Sequence, residues 1–538
     1  MKFFITTPIY YVNDRPHIGH AYSTFVCDAL ARFHRAMGNE VIFCTGTDEN
    51  SQKNIEALQK LGETDLQAYL DRMAETWEET WKELGIQYDD FVRTTEERHL
   101  KAVDRFWKAS MASGDIYKGE YIGKYCTGCE RFIKESDLEH DRCPLHPNKD
   151  LTEIKEENYF FKLSSYRDEL LSYFKAHPDF IQPESRKNEI VRYVEDHLED
   201  ISVSRAAKEV EAGIPVPGDD TQKIYVWFDA LINYMTVAGF GTDDEKTKKW
   251  WPADLHVVGK DIIKFHCALW PAMILSASKS DPLLKEMKDG DGVLPKHVFA
   301  HGFFTIDGMK ISKSLGNAID PKELAEKYSL DSIRYFLMKE ISFGEDGDFS
   351  EHRLKERYAS DLGNTFGNLV HRAISMSRKY FDNSIPTADV EAAKTSKVDS
   401  IWKGEQGLED LSKKVIDAYA GFRPDRALEA IWGMTEESGS GLSHANRYIE
   451  ETKPFKLIKE DEKATAEILY SLLEGCRVYA WLIEPVMPET TEKIINSLGQ
   501  YYTEEIKKPL SERLTWGQLV PGADLPEPTV LFPRLEQE

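Results

Sequence analysis

The chain has 538 residues, 41% hydrophobic and 30% charged, and a formal net charge of −25. That length exceeds one compact core and predicts roughly two to four domains. No run approaches the about eighteen apolar residues of a membrane span. The acidic balance argues against bulk affinity for nucleic acid but leaves room for a local basic track. The N-terminus, Met1-Lys2-Phe3-Phe4-Ile5-Thr6-Thr7, lacks the apolar core and cleavage site of a signal peptide, which predicts a cytoplasmic chain. In chain order, residues 3–11 read as a strand, Ala21–Met37 as a helix stopped by Gly38, and Val41–Thr45 as a second strand ending in Gly46-Thr47-Asp48. This order opens a parallel α/β unit.

Residues 54–85 and 96–114 read as helices by apolar spacing. Between about 115 and 220 short aromatic strands, clustered cysteines and a charged helical stretch predict an insertion. Ile224–Phe228, His256–Val258 and residues 297–304 resume strand character, with a helix beginning near Asp261. Beyond about 355 the patterns at 355–380, 399–420, 425–450 and 462–485 predict an all-helical domain, with turn residues such as Asn383 and Pro386 between some of them. The Pro-rich tail from Pro521 predicts an extended strap.

Three local patterns fit nucleotide chemistry. His17 and His20 flank Gly19 where the first strand turns into a helix. Free backbone N–H groups at such a point favour phosphate, and imidazole donors can stabilise charge developing on phosphorus. Two ordinary histidines at a helix start would look the same. Nearly three hundred residues on, Lys310-Ile311-Ser312-Lys313-Ser314 lies between Gly308 and Gly316-Asn317. Two mobile ammoniums in a Gly-bounded loop can close over a triphosphate, although a solvated charged loop has the same composition. The glycine spacing of a Walker loop is missing. Gly259-Lys260-Asp261, after a strand, suits a nucleotide ribose, or a plain helix cap. Together the imidazoles and ammoniums could bracket a triphosphate, an arrangement suited to loading a carboxylate onto ATP.

The cysteines give the most specific local signal. Cys126-Thr-Gly-Cys129 precedes Cys143-Pro-Leu-His146. Three thiolates and an imidazole at this spacing fit a closed tetrahedral Zn²⁺ site of structural type. A redox Cys-x-x-Cys pair is the rival, and the second pair argues against it; His140 reads as merely exposed. The seven cysteines make no disulfide framework in so long a chain. Ile9, Tyr11, Trp227, Tyr234 and His266, near predicted strand ends, could line an apolar pocket beside Asp48, which suits a zwitterion with an unbranched apolar side chain. For any one of these aromatics, core packing is the plainer reading.

The His17-Ile18-Gly19-His20 and Lys310–Ser314 motifs resemble the signature pair of the class I aminoacyl-tRNA synthetases. Thr6-Thr7-Pro8-Ile9-Tyr10-Tyr11, Thr45-Gly46-Thr47-Asp48-Glu49, Tyr225-Val226-Trp227-Phe228-Asp229-Ala230 and Gly259-Lys260-Asp261-Ile262 narrow the resemblance to the methionyl-tRNA synthetase family, from residue 1 to about 485. It implies a Rossmann catalytic core at 1–115 and 225–300 and an inserted connective peptide with a zinc knuckle at 116–224. It also implies a stem-contact segment at 301–355 and a helical-bundle anticodon-binding domain with its tail at 356–538. The activity implied is ATP-dependent activation of L-methionine and its transfer to tRNA(Met). By the same resemblance Asp48 binds the substrate ammonium, and Ile9, Tyr11, Trp227, Ala230, Tyr234, Ile262 and His266 line the methionine pocket. His17, Gly19, His20, Gly259, Asp261, Lys310 and Lys313 hold Mg²⁺-ATP and its transition state, while Asn368 and Arg372 read the anticodon. Arg353, Lys355 and Arg357 extend a basic track.

Two departures stand out. Phe455 follows Pro454 where the family usually has a stacking Trp, which predicts weaker anticodon affinity. Asn50-Ser51 replaces the usual His-Gly. The chain ends at Glu538 without the C-terminal tRNA-binding or dimerisation domain of many relatives, which predicts a monomer. The alternatives are a class I enzyme for another apolar amino acid or cysteine, and a non-catalytic tRNA-binding relative. The interval of about 110 residues is too short for a large editing insertion, the closed cysteine cluster does not suit zinc-bound substrate, and intact His17, His20, Lys310 and Lys313 argue for catalysis.

Overall fold

The computed structural model describes all residues except 130, 134–137, 139–140, 209, 211, 291, 307–308, 312–318, 396–406, 434–440 and 536–538. Its centre is a seven-stranded sheet. β1 (Lys2–Thr6) pairs in parallel with β3 (Glu40–Asp48), and β3 pairs in parallel with β4 (Asp90–Arg93). On its other side β1 pairs with Leu255–Gly259, which pairs with Val298–His301. Strands buried on both faces read as continuous apolar runs, and Phe3, Phe4 and Ile5 are all buried here. From β1 the chain crosses through helix α1 (Ile18–Ala36) to one side, while Leu255–Gly259 leads to the other. The order therefore reverses between β1 and Leu255–Gly259, and a crevice opens at their carboxyl ends.

The strand read over residues 3–11 is interrupted. β2 (Tyr10–Tyr11) continues along β3, but three residues, Thr7 to Ile9, stand opposite two, because Thr6 pairs with Cys44 and Tyr10 with Thr47. Pro8 offers no N–H to the ladder, so a bulge forms there. Residues 54–85 form two helices, Gln52–Lys60 and Leu66–Glu83, separated at Gly62 with φ +73°. Ile224 ends a strand, and Val226–Ala230 is a short helix rather than the strand its aromatic and β-branched composition suggests.

The insertion is built on a hairpin of Ile116–Cys126 with Thr152–Phe161. It does not lie wholly outside the core, because Ile181–Gln182 joins the main sheet in parallel beside Val298–His301. Phe304–Ile306 pairs with Met309–Lys310 and with Gly347–Asp348. The region read as helical from 355 contains Glu351–Arg357, a π-helical stretch Tyr358–Gly367 and Asn368–Tyr380. Farther on come Leu408–Ala420, Pro424–Trp432, Leu442–Thr452 and Glu462–Ile483, so the patterns at 399–420 and 425–450 fall partly outside the described residues. The tail is an extended strap pinned by Ile385 N–H on Ala523 O at 2.8 Å and by Tyr358 Oη on Pro533 O at 2.9 Å.

Candidate functional site

The histidine pair starts α1. His17 is the N-cap, with extended backbone, and the helix begins at Ile18 rather than Ala21. His17 Nδ1 accepts from Gly19 N–H at 3.1 Å, and His20 Nδ1 accepts from His17 N–H at 3.2 Å, a reciprocal capping box made of two imidazoles. Because each Nδ1 is an acceptor, the proton of each neutral ring sits on Nε2. The rings stack at 3.7 Å between centroids, and His20 also meets the Tyr10 and Trp77 rings. Gly19 has a local reason: a Cβ there would lie 3.0 Å from His17 Cε1. The backbone N–H groups expected to await phosphate already have protein partners, since Ile18 N–H donates to Ile319 O at 3.1 Å and His20 and Ala21 N–H to His17 O. The same Ile18–Ile319 bond brings the chain just beyond the lysine motif to the histidine pair. Lys310 lies on the short strand Met309–Lys310. Lys313, with Gly308, Ser312, Ser314, Gly316 and Asn317, falls outside the described residues, as does His140.

Across the crevice, Gly259 ends its strand opposite His301. Asp261 follows and is exposed. A Cβ on Gly259 would sit 2.9 Å from Asp261 Oδ1 and 3.3 Å from the Phe303 ring. His301 was not singled out by the sequence. It is buried, bonds Ser23 of α1 through Nε2 at 2.7 Å, and so ties this strand end to the helix that carries the histidine pair.

Sheet register places Tyr11 directly beside Asp48. Asp48 is 4% exposed, and its carboxylate accepts from Asn50 N–H at 3.3 Å. Ile9 and Ile262 are partly buried against the same apolar cluster, which also contains Tyr234. Trp227, on the Val226–Ala230 helix, stacks on Phe265 at 4.0 Å and 4°. Ala230 is 5% exposed, and Asn233 Nδ2 caps its carbonyl at 2.6 Å. Tyr234 Oη and His266 Nε2 lie 2.7 Å apart, while His266 Nδ1 reaches Ile262 O at 3.0 Å. A carbonyl only accepts, so Nδ1 carries the proton and Tyr234 donates to Nε2. Burial pushes His266 down to about 4, and His256 beside it also falls well below its ordinary value. This buried group is uncharged at neutral pH. Asn50 and Ser51 also find a use: Ser51 Oγ caps the helix Gln52–Lys60, and Asn50 Nδ2 bonds Asp229 at 2.7 Å.

At the hairpin tip, Cys126, Cys129, Cys143 and His146 offer four ligand atoms that all lie within 4.8 Å of one another. Cys129 Sγ is 3.4 Å from Cys143 Sγ, and His146 Nδ1 is 3.2 Å from Cys129 Sγ and 3.8 Å from the other two sulfurs. Zinc bonds of about 2.3 Å to sulfur and about 2.0 Å to nitrogen set ligand atoms roughly 3.5–3.8 Å apart in a tetrahedron, so the set fits that metal.

In the helical region Asn368 and Arg372 stand one turn apart at the start of Asn368–Tyr380. Asn368 is exposed, and Arg372 pairs with Glu450 at 2.6 Å, three residues before the turn at Lys453. Phe455 follows that turn and is 38% exposed. Arg353 and Arg357 are tied to Glu340. A separate cleft of about 580 Å³ near Phe180, Pro252 and His297 lies at the amino ends of the strands, and its Lys288 and Lys296 are paired with Glu169 and Asp254.

A parallel sheet with paired imidazoles at its first helix start, facing a Gly-Lys-Asp turn across the reversal of strand order, defines a class I aminoacyl-tRNA synthetase. Residues 3–154 and 133–374 match the family described as "tRNA synthetases class I (M)", and residues 414–538 match the "Anticodon binding domain of methionyl tRNA ligase". The chain belongs to the methionyl-tRNA ligase family. It is 43% identical to the methionine–tRNA ligase of Thermotoga maritima over 100% of this chain and 81% of the relative. It is 40% identical to that of Nostoc sp. over 99% and 97%. It is also similar to the Mycobacterium tuberculosis methionyl-tRNA synthetase in complex with methionyl-adenylate, with TM-score 0.86, 38% identity and coverage of 99% and 100%. Against the free-state structure of that protein the TM-score is 0.79 with 36% identity, over 100% of this chain and 99% of the other.

Proposed function

We propose that the chain activates L-methionine with ATP and transfers it to the 3′-terminal ribose of tRNA(Met). The observation that carries the choice of substrate is the buried carboxylate of Asp48 in register with Tyr11, joined through Asn50 to the helix of Trp227 and Ala230 and near an uncharged Tyr234–His266 floor. A carboxylate suits an α-ammonium, and a floor held neutral by burial suits a thioether rather than a charged side chain.

In the first step a methionine carboxylate oxygen attacks the α-phosphorus, a P–O bond to the β-phosphate breaks, and pyrophosphate leaves. His17 and His20 donate from Nε2 to the phosphate oxygens, and Lys310 and Lys313 offset the charge on the leaving pyrophosphate. Gly259 and Asp261 take the adenosine, and ATP brings Mg²⁺ with it. In the second step the ribose hydroxyl oxygen attacks the carbonyl of the mixed anhydride, the bond from that carbon to the phosphate oxygen breaks, and AMP leaves with its phosphate taking the hydroxyl proton. No side chain becomes covalently linked; positioning and charge stabilisation supply the rate. Ile9, Tyr11, Trp227, Ala230, Tyr234, Ile262 and His266 surround the side chain.

Zinc held by Cys126, Cys129, Cys143 and His146 stiffens the hairpin tip and takes no part in the reaction. Asn368, Arg372 and Phe455 contact the anticodon in the region 356–538, with the segment 301–355 on the acceptor stem. Pyrophosphate exchange tested with each amino acid should respond to methionine, and Lys313→Ala should reduce it severely while tRNA binding persists. Exchange with leucine or cysteine but not methionine would overturn the reading.

A further inference from the structure

We propose that Asn50 is a positioning residue that sets the ammonium-binding carboxylate of Asp48 against the side-chain wall at Trp227 and Ala230; this rests on the methionine reading above. The loop after β3 is clamped at Glu49, which is 1% exposed. Glu49 N–H donates to Thr94 Oγ1 at 2.8 Å, and its carboxylate accepts from Thr47, from Arg93 at 2.7 Å and from Thr95. Asn54 Nδ2 holds the Asp48 carbonyl at 3.2 Å. These bonds fix the loop to the neighbouring strand end, but none of them reaches the second half of the core.

Asn50 makes that connection. Its Nδ2 donates one hydrogen to Thr94 O at 3.3 Å and the other to Asp229 Oδ2 at 2.7 Å. Both partners accept only, so the amide orientation is fixed. Its backbone N–H meets Asp48 Oδ1 at 3.3 Å. The other Asp229 oxygen meets His99 Nε2 at 2.6 Å, and His99 Nδ1 meets Thr236 Oγ1 at 2.9 Å. Asp229 and His99 are 0% exposed. The chain Asp48–Asn50–Asp229–His99–Thr236 thus runs from the end of β3 to the helix Asn233–Ala238. Asp229 sits between Trp227 and Ala230 on a helix of only five residues with no side-chain N-cap, so its contacts set where that wall stands. A carboxamide is uncharged and offers two donors, which a carbonyl and a carboxylate together require. The imidazole usual at this position in the family could donate to Asp229 alone.

The test is steady-state pyrophosphate exchange with the full chain. Asn50→Ala should raise KM for methionine roughly tenfold or more, the order expected for one hydrogen bond to a charged group, with KM for ATP within twofold of wild type. Asn50→His should recover most of the methionine KM. Should Asn50→Ala fail to fold, Asp229→Asn gives the second reading, since an amide there cannot accept from both Asn50 and His99, and the same selective rise is expected. An unchanged methionine KM, or methionine and ATP KM rising in parallel, overturns the proposal. A wild-type chain with no methionine-dependent exchange overturns the functional reading instead, and that arm is read independently of the variants.

Discussion

At the scale of single residues, burial decides the charge of the Tyr234–His266 pair. His266 is 1% exposed and is pushed down to about 4, with Tyr234 and His256 the titratable groups against it. An unfolded histidine near 6.5 therefore binds a proton that folded His266 refuses, so this residue's stabilisation is complete above about 6.5 and is lost as pH falls through about 4. Between pH 6.5 and 5 that amounts to roughly 2 kcal/mol. Asp331, fully buried and raised to about 6, acts in the opposite sense, being protonated when folded and ionised when unfolded. The histidine contribution is therefore read as a difference: urea unfolding of His266→Asn should weaken by about 2 kcal/mol less than wild type over that pH range. Identical slopes would remove the assignment. The candidate groups at this scale are legible as motifs, because His17 with His20 and the Cys126–His146 set each stand at a fixed short spacing along the chain. His99 and His301 were not legible, because each acts through a partner distant in sequence, Asp229 and Ser23.

At the scale of elements, two glycines show why small residues sit where they do. A Cβ on Gly128 would lie 2.4 Å from His146 Cγ, so only glycine lets the imidazole close the knuckle. Gly128→Ala should displace His146 and reduce bound zinc well below one per chain by metal analysis, with Cys143→Ser as the comparison; full zinc occupancy in Gly128→Ala would show that the ring can move aside. The segment Val226–Ala230 gives the opposite lesson. Its run of Tyr, Val, Trp and Phe reads as a strand by composition, yet it is a helix, because Tyr225 O accepts from the N–H groups of Phe228 and Asp229 and the chain turns away from Ile224. Short elements are set by tertiary contacts that outweigh propensity.

At the scale of the whole molecule, the helical region shares one core with the catalytic sheet. Alternation along β1 sends Phe3 and Ile5 into the apolar cluster that continues through Trp432, Leu473 and Phe532, and sends Phe4 into the cluster shared with the insertion. The junction is fastened by a buried ion pair. Arg334 bonds Asp28 of α1 at 2.6 Å and the carbonyls of Pro485 and Val486 at 3.1 and 2.8 Å, and both charged residues are 0% exposed. Asp28 also holds Arg32. Arg334→Leu strands part of a buried carboxylate and two carbonyls, so it should cost about 3–5 kcal/mol in urea unfolding. A loss below about 1 kcal/mol would mean that Arg32 alone suffices.

The sequence by itself determined the chemistry and the family. Signature residues in a parallel α/β pattern, a metal set at ligand spacing and long helical periodicity depend on local order along the chain. Only the tertiary structure decided how those parts meet. It showed that the two imidazoles cap their own helix, that Ile181–Gln182 returns from the insertion to the core sheet, and that Asn50, bonded to Asp48, reaches Asp229 179 residues farther along the chain. The physical reason is that a buried hydrogen bond is fixed by which distant groups the fold brings within about 3 Å, and no periodicity in the sequence carries that distance.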